Sequence, residues 1–285
     1  MVAVRVRASF LAITGLLLLT GCESPVGGAA APSVSTSAPS PITSSSSPPP
    51  SSTSSSAPSS SASSAPAQVP GSKVVVLDAG HNGGNGSHAA EINKLVPAGR
   101  GEMKPCNTTG TSTNAGYPEH AFTFDVTQRV GAALAAKGVK VVYTRTDDKG
   151  IGPCVDKRAA TGNSANADAV VSIHADGSTA AGSRGFHVAY SSPPLNAQQG
   201  EPSTRLSKTL RDGLRSAGFP PANYIGKDGL APRADLGGLN LSTRPAALVE
   251  CGNMRNAGEA ASMTSADGRQ KYADAIAAAI ETYLG

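Results

Sequence analysis

The chain of 285 residues carries a formal net charge of +4, and its 32 glycines and 21 prolines are spread unevenly. Two of the positive charges, Arg5 and Arg7, lie in the first few residues, so the remainder is nearly balanced. It contains no basic block, which excludes nucleic acid as a partner.

In chain order, Arg5 and Arg7 precede the apolar run Phe10 to Leu19. That run is long enough for the core of an export signal and too short for a good membrane span. Its end, Leu19-Thr20-Gly21-Cys22, resembles the lipobox of bacterial lipoproteins. The resemblance implies that Cys22 is lipidated, becomes the new N-terminus and holds the protein to the membrane. The alternative is an ordinary signal peptide with a chance cysteine. Residues 23–70 are almost entirely Ser, Pro, Ala, Thr and Gly, with too few large apolar side chains to offset the entropy of ordering a backbone. This linker has a coil size of roughly 40 Å and a contour of order 150 Å, enough to let an anchored domain reach the wall. The expected division is therefore a lipoprotein-type signal over 1–22, a disordered linker over 23–70 and a folded domain over 71–285.

The folded part opens with Val74-Val75-Val76-Leu77, a continuous β-branched run expected of a strand buried on both faces, which stops at Asp78-Ala79-Gly80-His81. A loop rich in Gly, Asn and Pro continues to about Pro118. Phe122, Val126, Val130 and Leu134 then recur every four residues, predicting a helix from about Pro118 to Gly138 with Glu119 in its first turn. Strands are expected at Val139 to Tyr143, Ala169 to Ile173, Phe186 to Tyr190 and Ala246 to Val249. Helices are expected from about Pro153 to Ala165, along Leu206, Leu210 and Leu214, and along Tyr272, Ile276, Ile280 and Leu284. Alternation of strands with helices predicts one α/β domain, a mostly parallel or mixed central sheet flanked by helices, with function on loops at the strand ends. No internal repeat is visible.

With Cys22 assigned to lipid, three cysteines remain, and an exported domain can oxidise two of them. Cys106 and Cys154 stand beside prolines in expected loops, and are paired here as a disulfide. Cys251 follows the apolar run Ala246 to Val249 and reads as a core thiol.

His81, His174 and Glu250 follow three of the expected strands, and the first long helix brings up Glu119. Nitrogen and oxygen ligands from separate strand ends can assemble a metal site on an α/β sheet. Spacing alone does not establish one, since no H-E-x-x-H is present and a lone His after a strand is commonly a capping residue. The set Leu77-Asp78-Ala79-Gly80-His81, Glu119, Ser172-Ile173-His174-Ala175-Asp176 and Leu248-Val249-Glu250-Cys251-Gly252-Asn253-Met254-Arg255-Asn256 nevertheless resembles, in order, the motifs of the zinc amidase family often called amidase type 3. The likeness spans Lys73 to Leu284 and is nearest to compact actinobacterial members without a wall-binding domain.

The resemblance implies an N-acetylmuramoyl-L-alanine amidase. On that resemblance one Zn2+ is expected to be held by His81, Glu119 and His174, with Glu250 as the catalytic carboxylate and peptidoglycan or a muropeptide as the substrate. It also implies an exported, envelope location; a monomer is the default. Asp176 stands where many members have Asn, and Cys251 where Thr or an aliphatic residue is commoner. His187 is assigned to the substrate groove, whereas His120 is expected to point to a different helix face from Glu119. Each residue has a plainer reading. Glu119 could merely favour a helix N-terminus, and Glu250 could be a surface charge. Rival functions are another zinc hydrolase of the wall, such as a carboxypeptidase, and a non-catalytic wall-binding lipoprotein. Gly84-Asn85-Gly86-Ser87-His88-Ala89 matches a dinucleotide fingerprint, but no helical stripe follows it, and Pro97, Gly99, Gly101 and Pro105 argue against one.

Overall fold

In the computed structural model, which describes residues 72–285, the first apolar run forms β1 (Val74–Ala79). It is followed by a short α1 (Ala89–Ile92), a hairpin of β2 (Leu95–Pro97) and β3 (Met103–Pro105), α2 (Glu119–Ala136) and β4 (Lys140–Tyr143). Next come α3 (Val155–Ser164), β5 (Ala169–Asp176), β6 (His187–Ser191), α4 (Glu201–Ser216) and β7 (Leu230–Arg233). The chain ends with α5 (Gly237–Asn240), β8 (Ala246–Asn253), α6 (Ala257–Thr264) and α7 (Ala266–Leu284). The lipidation expected at Cys22, the export signal and the linker lie outside the described residues.

Six strands form one sheet in the order β4-β1-β5-β8-β6-β7. β1 runs parallel to β4 and β5, β5 to β8, and β6 to β7, while β6 meets β8 antiparallel. The mixed sheet is the expected architecture. Its two faces are covered unequally. Val75, Leu77, Val171, Ile173 and Val249 pack against the stripes Phe122/Val126/Val130/Leu134 of α2, Leu206/Leu210/Leu214 of α4 and Tyr272/Ile276/Ile280 of α7. The other face carries the smaller cluster of Val76, Val170, Ala189, Ala231, Leu239 and Ala246, beneath the short α3 and α5. Thin cover on that face leaves room for a cleft. Among the described residues, no helix is long and apolar enough to cross a membrane.

Cys106 and Cys154 are joined in a disulfide, tying the segment after β3 to the start of α3, and Cys251 is free and buried. The structure departs from the sequence reading in β7, which holds Pro232 and shows no apolar alternation. It lies at the sheet edge, where a missing N–H is tolerated. The expected open loop before Pro118 also contains the β2–β3 hairpin, whose three-residue strands include Pro97 and Pro105. After the fingerprint-like glycines comes only a four-residue helix, α1.

Candidate metal centre and catalytic cleft

The polar residues expected beyond the strands lie partly within them. The β5–β8 ladder continues past the apolar run through His174↔Glu250 to Asp176↔Asn253, because backbone pairing does not depend on side-chain polarity. Alternation along the strand sends Ser172, His174 and Asp176 to the thinly covered face and Ile173 and Ala175 to the main core. His81 lies just past β1, and Glu119 is the first residue of α2, after an extended Pro118. The site thus forms at the carboxyl ends of parallel strands, where open α/β sheets bind ligands.

His81, Glu119 and His174 each offer one ligand atom, all within 4.8 Å of one another. Glu119 Oε1 is 3.1 Å from His81 Nε2 and 3.1 Å from His174 Nδ1. The carboxylate is fixed from behind: Oε1 accepts from Ala175 N at 3.1 Å and Oε2 from Thr111 N at 2.9 Å. His81 Nδ1 donates to Thr108 O at 3.0 Å, which turns Nε2 toward Glu119. Two glycines make room. A Cβ on Gly80 would collide with the His174 ring, and one on Gly110, whose φ is +77°, would come within 2.8 Å of Glu119 Oε2 and of His81 Cδ2.

Burial opposes charge on both partners of this cluster. The Glu119 carboxylate nevertheless carries the His81 imidazole above its usual pKa, and the two imidazoles hold Glu119 well below the usual carboxylate range. Such mutual stabilisation is what a carboxylate and an imidazole nitrogen 3.1 Å apart produce when a proton stands between them.

A cleft of about 590 Å³ opens over these residues and is lined by His81, Glu119, His174, Glu250, Asp176 and Lys104, among others. Glu250 brings its carboxylate to this cleft, and its Oε2 is buried without a hydrogen-bond partner among the described residues. Burial pushes its pKa well up, and the negative charges of Glu119 and Asp176 add to that against the opposing Arg233. His187 is the register partner of Glu250 across β6–β8 and is only 2% exposed. Burial drives its imidazole down to about 4. Tyr224 stands edge-on to His187 and donates its hydroxyl to Asp176 Oδ2 at 2.9 Å.

His120 points away from the cluster, as expected, but it is partly buried, with Nδ1 2.8 Å from Asp148 Oδ2. Sequence reasoning passed over Arg145 and Arg158, which lie buried beneath the His81 turn. Single arginines on an otherwise ordinary strand end and helix give no periodic signal.

The fold and cluster together define an α/β protein with a site able to hold a metal at the ends of its parallel strands and a carboxylate free beside it. The model of the N-acetylmuramoyl-L-alanine amidase family matches residues 75–282, and the chain belongs to that family. It is 52% identical over 219 residues to N-acetylmuramoyl-L-alanine amidase Rv3717 of Mycobacterium tuberculosis, covering 77% of this chain and 89% of that protein. The crystal structure of the N-acetylmuramyl-L-alanine amidase Ami1 from Mycobacterium smegmatis is similar with a TM-score of 0.72 and 55% identity, over 75% of this chain and 97% of that one. The N-acetylmuramoyl-L-alanine amidase AmiC2 of Nostoc punctiforme, 24% identical with a TM-score of 0.57, shares the fold over 74% of this chain and 97% of its own.

Proposed function

We propose that this protein hydrolyses the amide between N-acetylmuramic acid and L-alanine of the peptidoglycan stem peptide, with one Zn2+ held by His81, Glu119 and His174. The observation that carries this reading is the convergence of two imidazole nitrogens and a carboxylate oxygen beside the unpartnered carboxylate of Glu250. The donor set fits zinc. Ligand atoms of a tetrahedral site with bonds of about 2.0–2.1 Å stand about 3.3 Å apart, close to the 3.1 Å separations around Glu119. The contact of His81 Nδ1 with a carbonyl fixes the ring with Nε2 as ligand.

Bound there, the ion would supply Lewis acidity, making water acidic enough to attack near neutral pH and stabilising charge on the carbonyl oxygen. Glu250 accepts the proton of the attacking water and hands it to the departing L-alanine nitrogen as the C–N bond breaks. His187, the buried register partner of Glu250, lies behind the cleft and not on its lining, and its assigned place in the substrate groove is as support for that wall. The reaction class is separated from carboxypeptidase action by products of purified peptidoglycan. An amidase exposes the L-alanine amine, and release of a C-terminal amino acid without that amine would sink the assignment.

The same reading places the domain of residues 71–285 outside the cytoplasm as a monomer, tethered by residues 23–70 to a lipid on Cys22 at the outer face of the membrane. The Cys106–Cys154 bond supports an oxidising compartment, and Leu19-Thr20-Gly21-Cys22 supports lipidation. The role is wall remodelling or turnover.

A further inference from the structure

Two buried guanidiniums converge on the turn that carries His81. The chain leaves β1 through Ala79 and Gly80 and reaches His81 at φ 60°, a left-handed backbone uncommon for any residue but glycine, although histidine adopts it more readily than most. Three successive carbonyls of this turn accept from the same two arginines. Ala79 O accepts from Arg145 Nε at 2.9 Å and from Arg158 Nη1 at 2.6 Å, Gly80 O from Arg145 Nη2 at 3.1 Å, and His81 O from Arg158 Nη2 at 2.8 Å.

Each arginine is itself anchored in a different element. Arg158, on α3, donates from Nη1 to Asp78 Oδ1 at 2.6 Å and from Nε to Pro153 O at 2.8 Å. Arg145, after β4, donates from Nη1 to Asp148 Oδ1 at 3.0 Å and to Asp147 O at 2.8 Å, and from Nη2 to His120 O at 2.9 Å, at the start of α2. They are 5% and 6% exposed, respectively. Only a planar fork can bridge carbonyls two residues apart in this way, since a lysine ammonium is a single point with no fixed directions.

We propose that Arg158 and Arg145 are positioning residues for His81. They hold the left-handed turn so that the imidazole meets Thr108 O with Nδ1 and presents Nε2 toward Glu119. The proposal rests on the reading of His81 as a metal ligand, but the turn itself can be probed without metal.

The test uses the full chain in three forms: wild type, Arg158→Met combined with Asp78→Asn so that no lone charge is left buried, and Arg158→Lys. Zinc dissociation constants are measured by competition with a chromophoric chelator. Hydrogen–deuterium exchange over residues 80–85 is measured on chelator-stripped protein. The double variant is expected to bind zinc about ten- to hundredfold more weakly, and its turn to exchange at least about tenfold faster while α2 exchanges as in wild type. Arg158→Lys, which keeps the charge opposite Asp78 but not the fork, should recover less than half of the lost affinity; if the double variant does not fold, this variant carries both measurements. Unchanged exchange of the turn, or full recovery of affinity by lysine, would overturn the proposal. Failure of the wild type to bind zinc would instead remove the metal reading, and the exchange comparison would still decide whether Arg158 holds the turn.

Discussion

Glu250 and His174 are direct register partners in the parallel ladder between β5 and β8, so their side chains leave the sheet side by side on the same face. A proposed proton carrier and a proposed ligand are thus spaced by sheet geometry and not by a loop. Glu250→Gln keeps the shape and removes the basic oxygen, and therefore should retain zinc in mass-spectrometric metal analysis. Release of L-alanine-terminated peptide should fall by a factor of about 100 to 10,000. Full activity of this variant would assign proton transfer elsewhere.

The ligand variants should behave differently. His81→Ala, His174→Ala and Glu119→Ala each take one donor from the cluster, so metal content and turnover should fall together. Stripping the wild type with a chelator should abolish activity, and added Zn2+ should restore it. Activity that survives in zinc-free protein would end the metalloenzyme reading.

The Cys106–Cys154 bond closes a loop with a sequence separation of 48. On the loop-entropy relation, Cys106→Ser with Cys154→Ser should lower unfolding free energy by about 4 kcal/mol, read from urea titrations of metal-free protein. Thiol titration of the denatured but unreduced domain should find Cys251 free. A stability loss well below 1 kcal/mol would mean that the reduced unfolded chain is already compact.

Cys22→Ser tests the anchor. Intact protein should fractionate with membranes, while the variant should be released or left unprocessed. Equal membrane association of both would refute lipidation at that position.

Much of this arrangement was legible because it rests on apolar periodicity: Phe122, Val126, Val130 and Leu134 specify both α2 and the face it buries, and so place Glu119 at its start. Strand ends were less legible. His174 and Glu250 look like residues beyond a strand, yet the ladder runs through them, since hydrogen bonding between backbones leaves no trace in composition. Edge strand β7 and the β2–β3 hairpin are short and proline-bearing, which is the pattern of loops. The two arginines beneath His81 escaped altogether. Their role depends on carbonyls from residues 65 to 79 positions away in sequence, which no local pattern encodes.

The buried pair Asp78–Arg158 gives a last prediction, for acid stability. Burial alone would raise the Asp78 carboxyl, but Arg158 at 2.6 Å together with the hydroxyls of Ser172 and Thr144 lowers it from 3.8 to about 2. A group whose folded pKa lies below its unfolded value stabilises the native state fully above the unfolded pKa. That contribution disappears as pH falls from about 4 to about 2. The difference corresponds to about 2 kcal/mol. Glu119 is also depressed and loses stability in the same direction, so Asp78 is isolated only by comparing two proteins. In metal-free samples, urea-derived stability between pH 5 and pH 2 should fall more steeply for the wild type than for Asp78→Asn, the two losses differing by about 2 kcal/mol. Above about pH 4, Asp78→Asn should also be the less stable protein, because Arg158 remains buried without its counter-charge, and the gap should close toward pH 2 as the wild-type carboxyl is itself protonated. Identical pH slopes in the two proteins would show that Asp78 is not held ionised by the arginine that grips the His81 turn.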